Sequence, residues 1–254
     1  MHEPEGVGPD IVTSPPPRPQ PGRPEVALIG FLITFATALV VFVLLARSVT
    51  GEAGGFDRAV MLALRTPGDP SQPLGPLWLM LTAEGITSLG GYPIVTLVTL
   101  LTAGLLLIVH KPAAAILVLV AVGGGMLLNE ALKELFDRPR PDLVPHAVDV
   151  YTASFPSGHA MLSAITYLTL GGLLARVQPR RRVRVYLLFV AVALTLLIGA
   201  SRVYLGVHWP TDVLAGWCAG AGWAALCWLI ALWLQRRGTV EADTAADDAA
   251  DPPR

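Results

Sequence analysis

The stretch Ser201-Arg-Val-Tyr-Leu-Gly-Val-His-Trp-Pro-Thr-Asp212 sits between two long apolar runs, where ionisable side chains are costly and need a reason. Arg202 and His208 lie six residues apart, and Asp212 follows His208 by four. Pro210 suits the first position of a helix, where a missing N–H costs nothing. A helix starting there puts Asp212 in its first turn, on the positive dipole end and within reach of the His208 ring. A carboxylate on one imidazole nitrogen orients the other and makes it more basic, which prepares a histidine nucleophile. Arg202 adds a permanent cation whose planar fork of donors matches phosphate oxygens. Read alone, the same stretch also fits an interfacial loop that anchors helix ends.

Two earlier stretches favour chemistry. In Phe155-Pro-Ser-Gly-His159, Ser157 is a good N-cap and Gly158 lets a ligand approach the backbone. The first N–H groups of a helix starting there form an anion site, with His159 beside it as a proton donor. Lys133-Glu-Leu-Phe-Asp-Arg-Pro-Arg-Pro141 gathers Lys133, Arg138 and Arg140 at one membrane surface, because each Arg-Pro pair forces an extended path. A basic cluster of this kind also anchors lipid headgroups, so by itself it says little.

Together the three stretches read Lys-x6-Arg-Pro, Pro-Ser-Gly-His and Ser-Arg-x5-His-x3-Asp, in that order. This resembles the type 2 phosphatidic acid phosphatase superfamily, the lipid phosphate phosphatases, which share a helical core with vanadium haloperoxidases. The signature is met without departure and covers residues 133 to 212. The resemblance implies that His208 attacks phosphorus and becomes a phosphohistidine, with Asp212 orienting it. It implies that His159 protonates the leaving oxygen and then helps activate water. Lys133, Arg140 and Arg202, with Ser157 and the Gly158 backbone, are implied to hold the equatorial oxygens; Arg138 lies outside the signature and reads as supporting. Three cations and a helix N-terminus suit a transition state that spreads charge over three oxygens. No metal or other cofactor is implied, because the cations do what Mg²⁺ would do.

The elements that must position these groups follow from hydropathy. Of 254 residues, 53% are apolar and 15% charged, and the mean hydropathy is +0.58. Soluble domains differ from this, so the chain is expected to be an all-α integral membrane bundle. The net charge of −1 is uninformative, because the charges are segregated. Long apolar stretches predict six transmembrane helices: Val26–Ala46, Tyr92–Val109, Ala113–Leu132, His159–Val177, Val185–Ala200 and Val213–Leu234. Phe56–Leu64 reads as a short interfacial helix, and Leu77–Leu89, which contains Glu84, as an interfacial or half-buried one. Residues 1–24 hold eight prolines and read as a disordered tail; residues 238–254 read as an acidic disordered tail. Between them, 25–237 is the expected phosphatase domain. Cys218 and Cys227, nine residues and about 13 Å apart on one helix, are beyond disulfide reach and read as apolar fillers.

Six spans put both termini on one side. The Arg176–Arg184 cluster assigns that side to the cytoplasm and the 133–158 and 201–212 stretches to the periplasmic or outer face of the cell membrane. The expected partner is a membrane lipid phosphate, not nucleic acid. Phosphatidate, phosphatidylglycerol phosphate and isoprenoid diphosphates such as undecaprenyl diphosphate are the substrates that the resemblance suggests, with family analogy leaning to the last. Alternatives are a phosphotransferase using the same phosphohistidine, a haloperoxidase, which six spans disfavour, and a non-enzymatic scaffold or transporter. Oligomeric state has no signature in the sequence.

Overall fold

Long apolar runs can satisfy their backbone groups in a bilayer only as helices. In the computed structural model, which describes residues 24–49, 54–144 and 152–237, they do so. Eight helices occur among the described residues: α1 (Pro24–Ser48), α2 (Gly55–Ala63), α3 (Leu77–Ser88), α4 (Tyr92–Ile108), α5 (Pro112–Phe136), α6 (Gly158–Val177), α7 (Arg181–Tyr204) and α8 (Pro210–Arg236). The expected tails lie outside the described residues, save Pro24, which opens α1.

Five helices, α1, α5, α6, α7 and α8, are long and apolar enough to span a membrane. The sixth span needs a correction. Tyr92–Val109 does not reach span length alone; α3 and α4 meet at 46° and qualify together as one bent span. The interfacial or half-buried reading of Leu77–Leu89 therefore gives way to the first limb of that span. The break holds Gly90 and Gly91, and it packs against α6 and α7: a Cβ on Gly90 would lie 2.5 Å from Ile198 and 3.1 Å from the His159 carbonyl.

The pattern also missed a two-stranded antiparallel hairpin, β1 (Arg65–Thr66) with β2 (Asp69–Pro73), paired Arg65 with Pro73 and Thr66 with Asp69. Its turn is Pro67-Gly68, and Gly68 has φ of +87°, a conformation that glycine adopts without a Cβ penalty. Tyr204 at the end of α7 donates to the Leu74 carbonyl at 2.9 Å and ties the hairpin to the bundle.

Helix α6 is the centre: 56% of its most apolar window is buried, against 6% for α1. It packs on α7, α8 and α5, while α1 lies along α8. Small residues let α8 approach α6, as is common where helices meet in lipid. A Cβ on Gly216 would sit 2.6 Å from the Ser157 carbonyl, and one on Gly220 2.4 Å from that of Met161. The contact brings the N-terminal ends of α6 and α8 together, where the Ser157 N–H donates to the Asp212 carbonyl at 3.0 Å. Gly216→Ala is expected to lower the thermal unfolding midpoint in detergent by an amount equivalent to about 1–3 kcal/mol. Gly104→Ala, whose Cβ would meet nothing within 4 Å, serves as the neutral control.

Candidate active site

The turn from α7 to α8 carries His208. Leu205 and Val207 are fully buried against Ala83 and anchor it, while Gly206 makes the bend at φ of +80°. His208 is thereby held almost wholly buried. Its Nδ1 lies 2.9 Å from the Ser154 carbonyl oxygen, which only accepts, so Nδ1 carries the proton. The lone pair is then on Nε2, which lies 3.3 Å from Arg140 Nη1.

Asp212 is placed differently from expectation. It sits in the first turn of α8, but its Oδ2 is 3.7 Å from His208 Nδ1, beyond hydrogen-bond range. The carboxylate is committed elsewhere. Oδ2 accepts from the Ser154 hydroxyl and, at 3.0 Å, from the Trp209 N–H, while Oδ1 accepts from Arg138 Nη1. Ser154 therefore stands between the two, bonding the ring through its carbonyl and the carboxylate through its hydroxyl. Asp212 acts on the ring through its charge.

Arg138 also departs from the sequence reading. It is buried against carboxylates and does not join the other cations. Its Nη2 donates to Asp57 Oδ2 at 2.9 Å, and its Nη1 to Thr211 Oγ1 at 2.9 Å as well as to Asp212. Asp57, on α2, accepts in turn from the Thr211 N–H at 2.9 Å and its hydroxyl at 2.7 Å, capping α8 from outside that helix. The short interfacial helix is thus wired to Asp212.

The remaining cations converge. Thr152 gathers two of them: Lys133 Nζ donates to its Oγ1 at 3.1 Å, and Arg140 to its carbonyl at 2.7 Å and its Oγ1 at 3.1 Å. Arg140 also donates to the Val207 carbonyl at 2.8 Å, beside His208. Arg202, buried at the end of α7, donates to Thr87 on α3 at 3.1 Å, and its Nε has no hydrogen-bond partner. Ser157 stands at the N-cap position of α6, yet its hydroxyl makes no capping bond and is buried without a partner. Donor capacity is therefore left unspent at Arg202 and Ser157. His159 interacts electrostatically with Arg202, His208, Lys133 and Arg140, so all three signature stretches meet.

Burial pushes the His208 imidazole down to about 4; Asp212 opposes this, and Arg140 and Arg202 reinforce it. Burial also pulls the Arg140 guanidinium below its usual value, with Asp212 countering. A depressed histidine favours the neutral ring in the fold, and the unfolded chain binds the extra proton. Stability from this group is complete above about pH 6.5 and is lost as pH falls towards the folded value of about 4. In ¹⁵N-histidine spectra, the signals that vanish in His208→Ala are expected to remain those of a neutral Nδ1–H ring at pH 5.

Ser154, Thr152, Thr87 and Asp57 were not singled out by sequence reasoning. The first three are single hydroxyls without spacing signals. Asp57 belonged to a mixed stretch of scattered charges, and only its position at the start of a short amphipathic helix set it apart.

Comparison with known proteins places the chain in a family. A model of the PAP2 superfamily matches residues 114–236. Phosphatidylglycerophosphatase B of Bacillus subtilis (strain 168) is 38% identical over 147 residues, which cover 56% of this chain and 70% of the relative. This chain belongs to the PAP2 superfamily. The crystal structure of a transmembrane PAP2 type phosphatidylglycerolphosphate phosphatase from Bacillus subtilis superposes with a TM-score of 0.69 at 27% identity. The match covers 87% of this chain and 99% of that one. An undecaprenyl-diphosphatase of Sulfolobus acidocaldarius is 37% identical over 68 residues, 27% of this chain and 29% of that relative. As a PAP2 member with five to six spans, the chain is an integral membrane lipid phosphatase.

Proposed function

We propose that this chain hydrolyses a lipid phosphate or diphosphate through a phosphohistidine on His208, at the periplasmic or outer face of the membrane, with both ends of the six-span bundle cytoplasmic. The observation that carries the reading is the Nδ1–H bond from His208 to the Ser154 carbonyl at 2.9 Å, which leaves the Nε2 lone pair beside Arg140.

In the first step Nε2 attacks phosphorus, the bond to the leaving oxygen (the lipid oxygen of a monoester, the bridging oxygen of a diphosphate) breaks, and that oxygen takes a proton from His159. Lys133, Arg140 and Arg202, with the Ser157 hydroxyl and the Gly158 N–H, hold the three equatorial oxygens as charge builds on them. The phosphorylated ring is cationic; its N–H stays on Ser154, and Asp212 at 3.7 Å stabilises the charge. In the second step His159 takes a proton from water, the water oxygen attacks phosphorus, and the N–P bond breaks. Inorganic phosphate leaves, His208 is neutral again, and His159 has regained its proton.

Three fixed cations supply the charge stabilisation, so phosphate release from phosphatidate, phosphatidylglycerophosphate or undecaprenyl diphosphate is expected to be unchanged by EDTA. Loss of all turnover in EDTA would remove the metal-free step. Orientation rests on the arginines at the α6–α7 connection. A cysteine at exposed Ser71, in the hairpin beside the catalytic end, is expected to react with a membrane-impermeant maleimide added outside intact cells. Reaction only after the cytoplasm is opened would invert the bundle.

A further inference from the structure

One turn before Lys133, α5 carries Asn129 and Glu130. They form a cluster with Tyr92, the first residue of α4. The Tyr92 hydroxyl donates to Glu130 Oε1, and Asn129 Nδ2 lies 3.1 Å from the Tyr92 oxygen and 3.3 Å from Glu130 Oε1. Lys133 Nζ lies 4.0 Å from the same carboxylate oxygen.

The cluster borders the reacting groups. A Cβ on Gly158 would lie 3.1 Å from Asn129 Nδ2 and 3.4 Å from its Oδ1, so the carboxamide rests against the first residue of α6. A Cβ on Gly91 would lie 3.6 Å from His159 Nε2, which places the start of α4 against the group that protonates the leaving oxygen. The cluster therefore lies on the His159 side of the site, the side from which, in the phosphohistidine reading, the alcohol departs.

Its chemistry is one-sided. Asn129 is fully buried and its Oδ1 has no hydrogen-bond partner. Its Nδ2 and the Tyr92 hydroxyl are already spent within the cluster. What remains on the three residues is two acceptors, the Asn129 carbonyl oxygen and the half-exposed Glu130 carboxylate, and a group that bonds to them must donate. The second phosphate of a diphosphate, bonded directly to the first, brings only acceptors and negative charge to this position, which the carboxylate repels; in phosphatidylglycerophosphate the diester phosphate lies beyond the three carbons of the head glycerol. An alcohol flanked by ester groups alone offers no donor.

We propose that Tyr92, Asn129 and Glu130 form a leaving-group subsite that selects lipid phosphomonoesters bearing a free hydroxyl on the carbon next to the scissile ester. Isoprenoid diphosphates, and phosphate esters of fully acylated glycerol, are disfavoured. The inference rests on the phosphohistidine reading, because it uses His159 to mark the leaving side. It also reverses the lean towards undecaprenyl diphosphate that analogy suggested.

The test compares three probes in mixed micelles with the full chain. They are phosphatidylglycerophosphate, the same lipid with propane-1,3-diol replacing the head glycerol, and undecaprenyl diphosphate. The wild type is expected to favour the first over the second in kcat/KM by at least about tenfold, since only the first has the hydroxyl. Glu130→Ala should bring that ratio close to one by lowering the first value alone. Glu130→Gln, which keeps an acceptor but removes the charge, should raise the undecaprenyl diphosphate to phosphatidylglycerophosphate ratio by about tenfold. Ratios measured within one protein cancel any partial loss of fold. Equal turnover of the hydroxyl and deoxy lipids, or ratios that neither substitution moves, overturns the subsite. His208→Ala separates the two claims. Residual turnover there counts against the phosphohistidine, whereas a dead variant beside a flat wild-type ratio counts against the subsite alone.

Discussion

Replacing His208 by alanine is expected to reduce phosphate release by about 10⁴-fold or more, the scale seen when a nucleophile is removed from a covalent mechanism. The reason is local. Nε2 is the nitrogen with a lone pair, because the Ser154 carbonyl fixes the proton on Nδ1. Its Nε2 lies beside Arg140, and the ring is within the field of His159. The three cations remain in the variant, so inorganic phosphate should still raise its thermal unfolding midpoint. Stabilisation by phosphate with loss of turnover separates a missing nucleophile from a collapsed site. A variant that keeps a tenth of its activity would show that another group attacks phosphorus.

The second large effect is expected at Arg138. One guanidinium joins two buried carboxylates, Asp57 at 2% and Asp212 at 0% exposure. Arg138→Met keeps much of the volume but leaves both charges uncompensated, which in buried settings costs about 3–5 kcal/mol. Thermal stability and turnover are expected to fall together. Asp57→Asn removes one of the two charges and should partly restore the Arg138→Met protein. A double-mutant cycle on the unfolding midpoint reads that coupling, expected at about 1 kcal/mol or more. Additive losses would mean that α2 is merely attached to the bundle and does not hold Asp212.

The comparison of Arg138 with Arg140 shows how much was legible in the sequence. Two residues apart in an Arg-Pro-Arg-Pro run, they look alike as cations. Which of them turns to the His208 ring and which to a carboxylate depends on Asp57, 81 residues before Arg138, in a stretch without motif. His159, His208 and the signature cations were legible because chemistry restricts residue type and spacing, and helix ends place them. Asp212 was legible as a residue but not in its bonding. Its commitments to Ser154, Trp209 and Arg138 are tertiary, and they push the His208 contact out to 3.7 Å. The Ser157 hydroxyl was read as a cap by local rule, yet it makes no capping bond. The helical spans followed from hydropathy nearly everywhere. The exception is the bent pair α3–α4, where two short apolar runs make one span because Gly90 packs on Ile198 and the His159 backbone.

The most direct measurement uses His159→Ala with p-nitrophenyl phosphate, whose leaving group departs without a proton donor. Loss of His159 should then spare the first step and slow the second, because water is no longer activated. A burst of about one nitrophenolate per protein is expected, as for any stalled covalent intermediate. Mass spectrometry after an alkaline quench should find the phosphoryl group on His208. A burst-free time course, or a phosphoryl group on any other residue, would contradict the account.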